Sequence, residues 1–481
     1  MEKSDIQGKR KNRGSDYEAQ KGNEKGGIER KRLIAYNNRA LNGRLKNGQT
    51  ENQLPDSGAY MEQKRELRSG FTTGTCAAAA AMAAAQALAG GEKKEYVSLV
   101  TPGGREAVFE VLWQPEEEDG NSKDARMQDM AGQSLKRICK VKKDSGDDPD
   151  VTNGALIGAA VSFGEDLWKA EESGEALPGI YCDHSQSPAV YLTGGAGVGR
   201  VTKKGLKCPV GYPAINPVPR QMIAEAVRKA FRHCGCERPV YIEIFIPDGR
   251  ELALKTFNPR LGIEGGISVL GTTGIVNPMS EQALIETIRL DIRVQAAEQR
   301  TLLAVAPGNY GEAFLREKMG LSMDFFVKCS NFVGETFAML KEEGIRQVLF
   351  AGHLGKLIKV AGGVMNTHSK YGDRRMEILA DCLEETWDLV ETSYETPGLD
   401  RCRAEIMKQI LAMNTTDEAA EFLDSLNLLT PVMKTATERI KSVLEKAFEI
   451  ETEVIVFSGS AGILGMTPGA VAFAERLKSQ I

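Results

Sequence analysis

The stretch Arg68-Ser69-Gly70-Phe71-Thr72-Thr73-Gly74-Thr75-Cys76, followed by an alanine run to Ala85 broken only by Met82, limits the fold of this chain more than any other part. Alanine is the strongest helix former and has no bulk to hold neighbours apart, so the run predicts a helix that other elements approach closely. Two hydroxyls and two glycines just ahead of it describe a helix N-terminus with free N–H groups. Two readings stand at this point: Thr73 or Thr75 simply caps the helix, or the terminus faces an anionic or polar ligand.

A chain of 481 residues exceeds what one core usually gathers, so two domains and an extra segment are expected. Hydrophobic content of 42% and charged content of 26% are those of a soluble globular protein. The net charge of −5, with no basic patch interleaved with aromatics after residue 65, argues against a nucleic-acid surface. Nine cysteines are scattered without disulfide or zinc spacing and read as reduced thiols. His233-Cys234-Gly235-Cys236 lacks a second ligand pair, so no metal site is expected there or elsewhere. The N-terminus is charged from the start and no apolar run is long enough to span a bilayer, which predicts a cytoplasmic protein without a secretory signal. Residues 1–64, rich in Lys, Arg, Asn, Gly and Gln, read as a disordered polar tail.

Along the chain, Tyr96–Val100 and Ala107–Leu112 form a hairpin, and the acidic stretch from Glu116 to Ser134 an exposed insertion. Asp144, Asp147, Asp148 and Asp150 crowd one short loop; they either support a helix starting near Asn153 or face a ligand. Gly194 to Arg200 reads as a tight turn between strands, and Asn216-Pro217 opens a helix to about His233. A second hairpin is predicted from Val240 to Phe257, turning at Pro247-Asp248-Gly249-Arg250. The opening motif then recurs as Gly271-Thr272-Thr273-Gly274, ahead of a helix capped at Ser280. Residues 65–298 are therefore expected to form a two-layer α/β sandwich with internal duplication. From Thr301 the order strand, glycine turn, helix repeats three times, which predicts a parallel α/β domain over 299–481 with a helical C-terminal extension.

No Gly-Lys-Ser/Thr phosphate loop, Gly-x-Ser-x-Gly elbow or His-Glu-x-x-His occurs. Of four histidines, His353 and His368 sit best for chemistry, and His184 and His233 receive no role. Arg200, Arg220, Arg260, Lys356 and Arg374 lie in glycine- or proline-defined loops, where they either solvate the surface or receive a polyanionic substrate.

Eight blocks in collinear order, Arg68–Ala85, Lys143–Thr152, Gly194–Thr202, Ala214–Arg220, Asn258–Gly274, Ser330–Gly334, Gly352–Lys359 and Asn366–Ser369, closely resemble the cobalt-precorrin-5B C1-methyltransferase family (CbiD). The resemblance implies methyl transfer from S-adenosylmethionine to ring carbon C1 of cobalt-precorrin-5B, giving cobalt-precorrin-6A in anaerobic cobalamin biosynthesis. It also implies an α/β sandwich followed by a Rossmann-like domain, with cobalt present only inside the tetrapyrrole substrate. A small-molecule kinase is the alternative, and a homo-oligomer is compatible with either. Because ligands sit beyond strand C-termini, S-adenosylmethionine is expected at Gly308, Asn309, Gly311, Asn331, Gly352 and His353. The corrin is expected at Thr72, Thr73, Arg200, Asn216, Arg220, Asn258, Arg260, Thr272, Thr273 and Lys356, with Asp147, Asp148 and His368 as catalytic candidates.

Overall fold

The computed structural model describes residues 67–114, 135–391 and 399–479. The polar tail and the acidic insertion fall outside the described residues. The protein is mixed α/β, with buried residues gathered in two large apolar clusters.

The first cluster lies against a seven-stranded sheet built from β1 (Tyr96–Val100), β2 (Glu106–Trp113), β3 (Lys136–Lys142), β4 (Leu156–Phe163), β5 (Tyr181–Asp183), β6 (Val190–Gly194) and β7 (Val240–Phe245). Their order is β1-β2-β3-β4-β7-β6-β5, antiparallel except where β7 runs parallel to β6. The first hairpin is as expected. The alanine run forms helix α1 (Thr73–Gly90), whose Ala77 to Ala81 are at most 1% exposed. It packs between β3 and β4 on one side and α2 (Pro217–His233) on the other. At its first turn the approach is closer still and excludes even a methyl: a Cβ on Gly74 would fall 2.8 Å from the Pro219 ring. The cap is Thr72, not Thr73 or Thr75, since its hydroxyl accepts from the Thr75 N–H at 3.3 Å.

Three expectations are corrected. No helix starts near Asn153; the loop runs into β4, a central strand buried on both faces and so without the alternation that marks a half-exposed one. The second hairpin does not form, because Gly249–Ala253 is a helical turn after β7. That turn seats Gly249 on Gly197, where a Cβ would meet the Gly197 carbonyl oxygen at 2.1 Å. The second Thr-Thr-Gly element leads into a two-residue strand, Ile275–Val276, which pairs antiparallel with Gly70–Phe71. The two halves of 65–298 thus do not repeat each other in these parts.

The second cluster surrounds β8 (Leu302–Ala306), β9 (Phe326–Lys328), β10 (Gln347–His353), β11 (Glu451–Ser458) and β12 (Gly462–Met466) in the order β9-β8-β10-β11-β12. The first four in that order are parallel and β12 is an antiparallel edge. Helix α3 (Glu281–Ala297), capped by Ser280 as expected, buries Ile288 and Ile292 in this second cluster rather than the first. Arg260, next to a small third cluster that includes Leu261 and Ile263, reaches the elements of the second, its guanidinium 3.0 Å from buried Asp291 and hydrogen-bonded to the Phe326 carbonyl.

Candidate functional site

Parallel strands β8, β9 and β10 bring their C-terminal ends to one edge, and the residues that follow them meet there. Gly308 takes a positive φ of 75°, and the open side that a Cβ would occupy faces the Lys356 ammonium at 3.4 Å. Lys356, in helix α4 (Leu354–Ala361), donates to the Asn331 side-chain oxygen at 3.0 Å. That oxygen also accepts from the Thr367 hydroxyl at 3.2 Å, and the Thr367 N–H returns to the Asn331 carbonyl at 2.9 Å. Asn309 is held by Lys328, which also pairs with Glu312 at 3.2 Å. His353 caps α4 by accepting from the Gly355 N–H at 3.2 Å.

Gly352 and Gly311 are packing positions: Cβ atoms there would fall 2.2 Å from Leu357 and 2.5 Å from Ala306. Of the residues assigned to S-adenosylmethionine, Gly308, Asn309 and Asn331 therefore gather, with His353 beside them. Lys356 joins this group instead of the corrin group. Burial is the main influence pulling the Lys356 ammonium below the usual lysine range, and the same effect pushes the Cys329 thiol beneath it up to about 12.

A second grouping forms where α1 and α2 begin side by side. The Gly74 N–H donates to the Leu270 carbonyl at 3.0 Å, and the Asn216 N–H to the Val269 carbonyl at 3.0 Å. Thr72 and Thr73 are at most 5% exposed and their hydroxyls are engaged, Thr73 accepting from the Leu270 N–H at 3.0 Å. The exposed pair is Thr272 and Thr273. Arg220, one turn into α2, lies 4.1 Å over the Tyr181 ring, and its buried Nε meets no acceptor among the described residues. Exposed Arg200 donates to the Gly211 carbonyl at 2.8 Å on the same side. Asn258 is buried and accepts from Ser268, and Arg260 is spent on Asp291, so neither belongs to an open surface.

Each carboxylate of the acidic loop has a donor, which is how the crowding is relieved. Asp144 takes both guanidinium nitrogens of Arg68, at 2.5 and 2.8 Å, and this bond holds its carboxyl below the usual range. Asp147 accepts from the Arg68 N–H at 2.7 Å and Asp148 from the Met279 N–H at 2.9 Å. Asp150 pairs with buried Lys143 at 2.6 Å. The loop thus abuts the segment carrying Thr272 and Thr273. Exposed His368 reaches the same rim, because Lys370, whose N–H it accepts, pairs with Glu281 two residues beyond Met279. Sequence reasoning assigned no role to Tyr181, Lys328 or Thr367; the first two carry no local signal, while Thr367 lies in the block Asn366–Ser369 beside the chosen His368.

Among the described residues no helix is long and apolar enough to cross a membrane. The CbiD family model matches residues 60–278, and the model described as CbiD, C-terminal domain, matches residues 399–468. A cobalt-precorrin-5B C(1)-methyltransferase from Ruminiclostridium cellulolyticum is 39% identical, covering 82% of this chain and 90% of the relative. Its namesake from Alkaliphilus metalliredigens is 37% identical, covering 86% and 96%. The crystal structure of the cobalamin biosynthesis protein (cbiD) from Archaeoglobus fulgidus is 27% identical over 64% of this chain and 84% of that one, with a TM-score of 0.31. With both family models matching and relatives of this identity aligned over most of its length, the chain belongs to the CbiD family.

Proposed function

We propose that this protein methylates ring carbon C1 of cobalt-precorrin-5B with S-adenosylmethionine, giving cobalt-precorrin-6A in anaerobic cobalamin biosynthesis in the cytoplasm. The relatives' shared name supports the reaction. The observation that supports a donor site in this chain is Lys356, a half-buried ammonium at a parallel-sheet C-terminal edge that no carboxylate among the described residues neutralises. It fits the carboxylate of the amino-acid part of S-adenosylmethionine, and Gly308, lacking a Cβ, leaves room beside it.

When bound, S-adenosylmethionine supplies an electrophilic methyl group on a positively charged sulfur. The chain's own task is then in-line placement and exclusion of water, which needs no nucleophilic side chain. In this reading residues 65–298 form a two-layer sandwich that binds the corrin, and residues 299–481 a Rossmann-like domain that binds the donor. Arg200, Arg220, Thr272 and Thr273 receive substrate carboxylates, the orphaned Nε of Arg220 being the donor most in need of one. Asp147, Asp148 and His368 stand on the rim between the two groupings and are the groups available to hold a proton.

The test is transfer of labelled methyl from S-adenosylmethionine to the cobalt-corrin substrate. Wild type transfers one label to C1, whereas Arg220→Ala and Asp148→Ala, folded by circular dichroism, lose most of the activity. Absence of transfer by wild type, together with thermal stabilisation by ATP alone, would favour the kinase reading instead.

A further inference from the structure

On the outer edge of the seven-stranded sheet, on the strand that also carries Tyr181 of the second grouping, the helix Glu165–Glu172 and the end of β5 bring together three side chains of different chemistry. Glu171, Cys182 and His184 place a carboxylate oxygen, a thiol sulfur and an imidazole nitrogen within 4.8 Å of one another. His184 Nε2 lies 3.0 Å from one Glu171 oxygen and 3.1 Å from the other. A tetrahedral cation with ligands at about 2.0 to 2.3 Å keeps its donors about 3.3 to 3.8 Å apart, so these side chains close on one with small torsional changes.

The surroundings hold the three groups in place. The Tyr191 hydroxyl donates to Glu171 at 2.6 Å, orienting the carboxylate. The His184 ring meets Trp168 and Tyr191 edge-on, at 5.7 and 5.8 Å between centroids. Between Cys182 and His184, Asp183 is anchored by the buried Arg228, which donates to its carboxylate at 2.9 Å and its carbonyl at 2.8 Å. Cys182 and His184 themselves are exposed, so a cation reaches them from solvent.

We propose that Glu171, Cys182 and His184 form a binding site for a zinc-class divalent cation, with a water molecule completing four-coordination. The mixed sulfur, nitrogen and oxygen set selects such a cation over magnesium or calcium, which require oxygen donors. Bound there, it staples the helix Glu165–Glu172 to edge strand β5, the strand that carries Tyr181 under Arg220. The spacing of the sequence hides this site, since its ligands combine a helix residue with an edge strand that has no zinc-finger pattern.

The test uses the full chain, stripped by chelator and titrated with Co²⁺ as a spectroscopic probe. One equivalent binds with a thiolate-to-cobalt charge-transfer band, and Zn²⁺ displaces it. Cys182→Ser, nearly isosteric at an exposed position, abolishes the band, and Tyr191→Phe weakens binding about tenfold by freeing Glu171. The Cys234→Ser/Cys236→Ser double variant keeps the band. Lack of stoichiometric binding, or a band unchanged in Cys182→Ser, overturns the proposal.

Discussion

The ammonium of Lys356 stands 3.0 Å from the side-chain oxygen of Asn331, and no carboxylate among the described residues pairs with it. A charge so placed is costly until an anion arrives. Lys356→Met is expected to weaken S-adenosylmethionine binding about tenfold, the worth of one charge-assisted hydrogen bond. Burial lowers the folded pKa of Lys356, so wild-type affinity falls as pH rises through that value, earlier than an ordinary lysine would allow. Lys356→Arg, which stays charged, flattens this profile. Calorimetric titration across pH checks both; unchanged affinity in Lys356→Met removes Lys356 from the donor site.

Lys143 is 1% exposed at its side chain and pairs with Asp150 at 2.6 Å. Asp150→Asn strands a buried charge and should cost about 3 kcal/mol in urea unfolding, while Lys143→Met combined with Asp150→Asn recovers much of it. Burial pushes the Asp150 pKa up, but Lys143 and the hydrogen bonds from Thr152 outweigh it and leave the folded value depressed. The associated stability is therefore present above about pH 4 and lost as pH falls through the folded pKa. That acid-side loss shrinks in Asp150→Asn. Equal stability of wild type and Asp150→Asn refutes the pairing.

Thr72 acts as a cap. Thr72→Ala is expected to lower stability by about 1 kcal/mol and Thr72→Ser to lower it less. Steady-state kinetics provides the counter-check, because a raised KM for the corrin in Thr72→Ala at full stability would return the hydroxyl to the substrate surface.

Gly197 has a φ of 74°, and a Cβ there would lie 1.8 Å from the Ile246 carbonyl oxygen. Gly197→Ala must move the turn after β7 and should cost about 3 kcal/mol, read as a lowered melting temperature. A variant as stable as wild type means that the contact relaxes freely.

Features with a local cause were legible in the sequence. The alanine helix, the Pro217 helix start, the Ser280 cap and the glycine-terminated parallel strands each follow from neighbouring residues. The assignment of Gly308, Asn309 and Asn331 to one place followed from the same rule, since parallel strands put their C-termini together. Features fixed by distant partners were hidden. Leu156–Phe163 is apolar but for Ser162 because both faces are covered, so it showed no strand period. The fate of Glu251–Phe257 was decided by Gly197, about fifty residues earlier in the chain, as the close packing of Gly249 demands. Lys356 reached the donor group through α4, a placement that a loop-based reading could not separate from the arginines around the corrin.

The pairing of the two Thr-Thr-Gly elements also sets an order of events during synthesis. The Thr75 hydroxyl finds its acceptor, the Gly274 carbonyl, 199 residues further along the chain. Gly70 and Phe71 likewise wait for Val276 and Ile275 to complete their ladder. The alanine helix can coil as soon as it leaves the ribosome, but its N-terminus stays unanchored until the whole first unit has emerged. A nascent chain arrested before Ile275 will therefore hold this helix without its clasp, and closure of so large a loop makes the step slow and late.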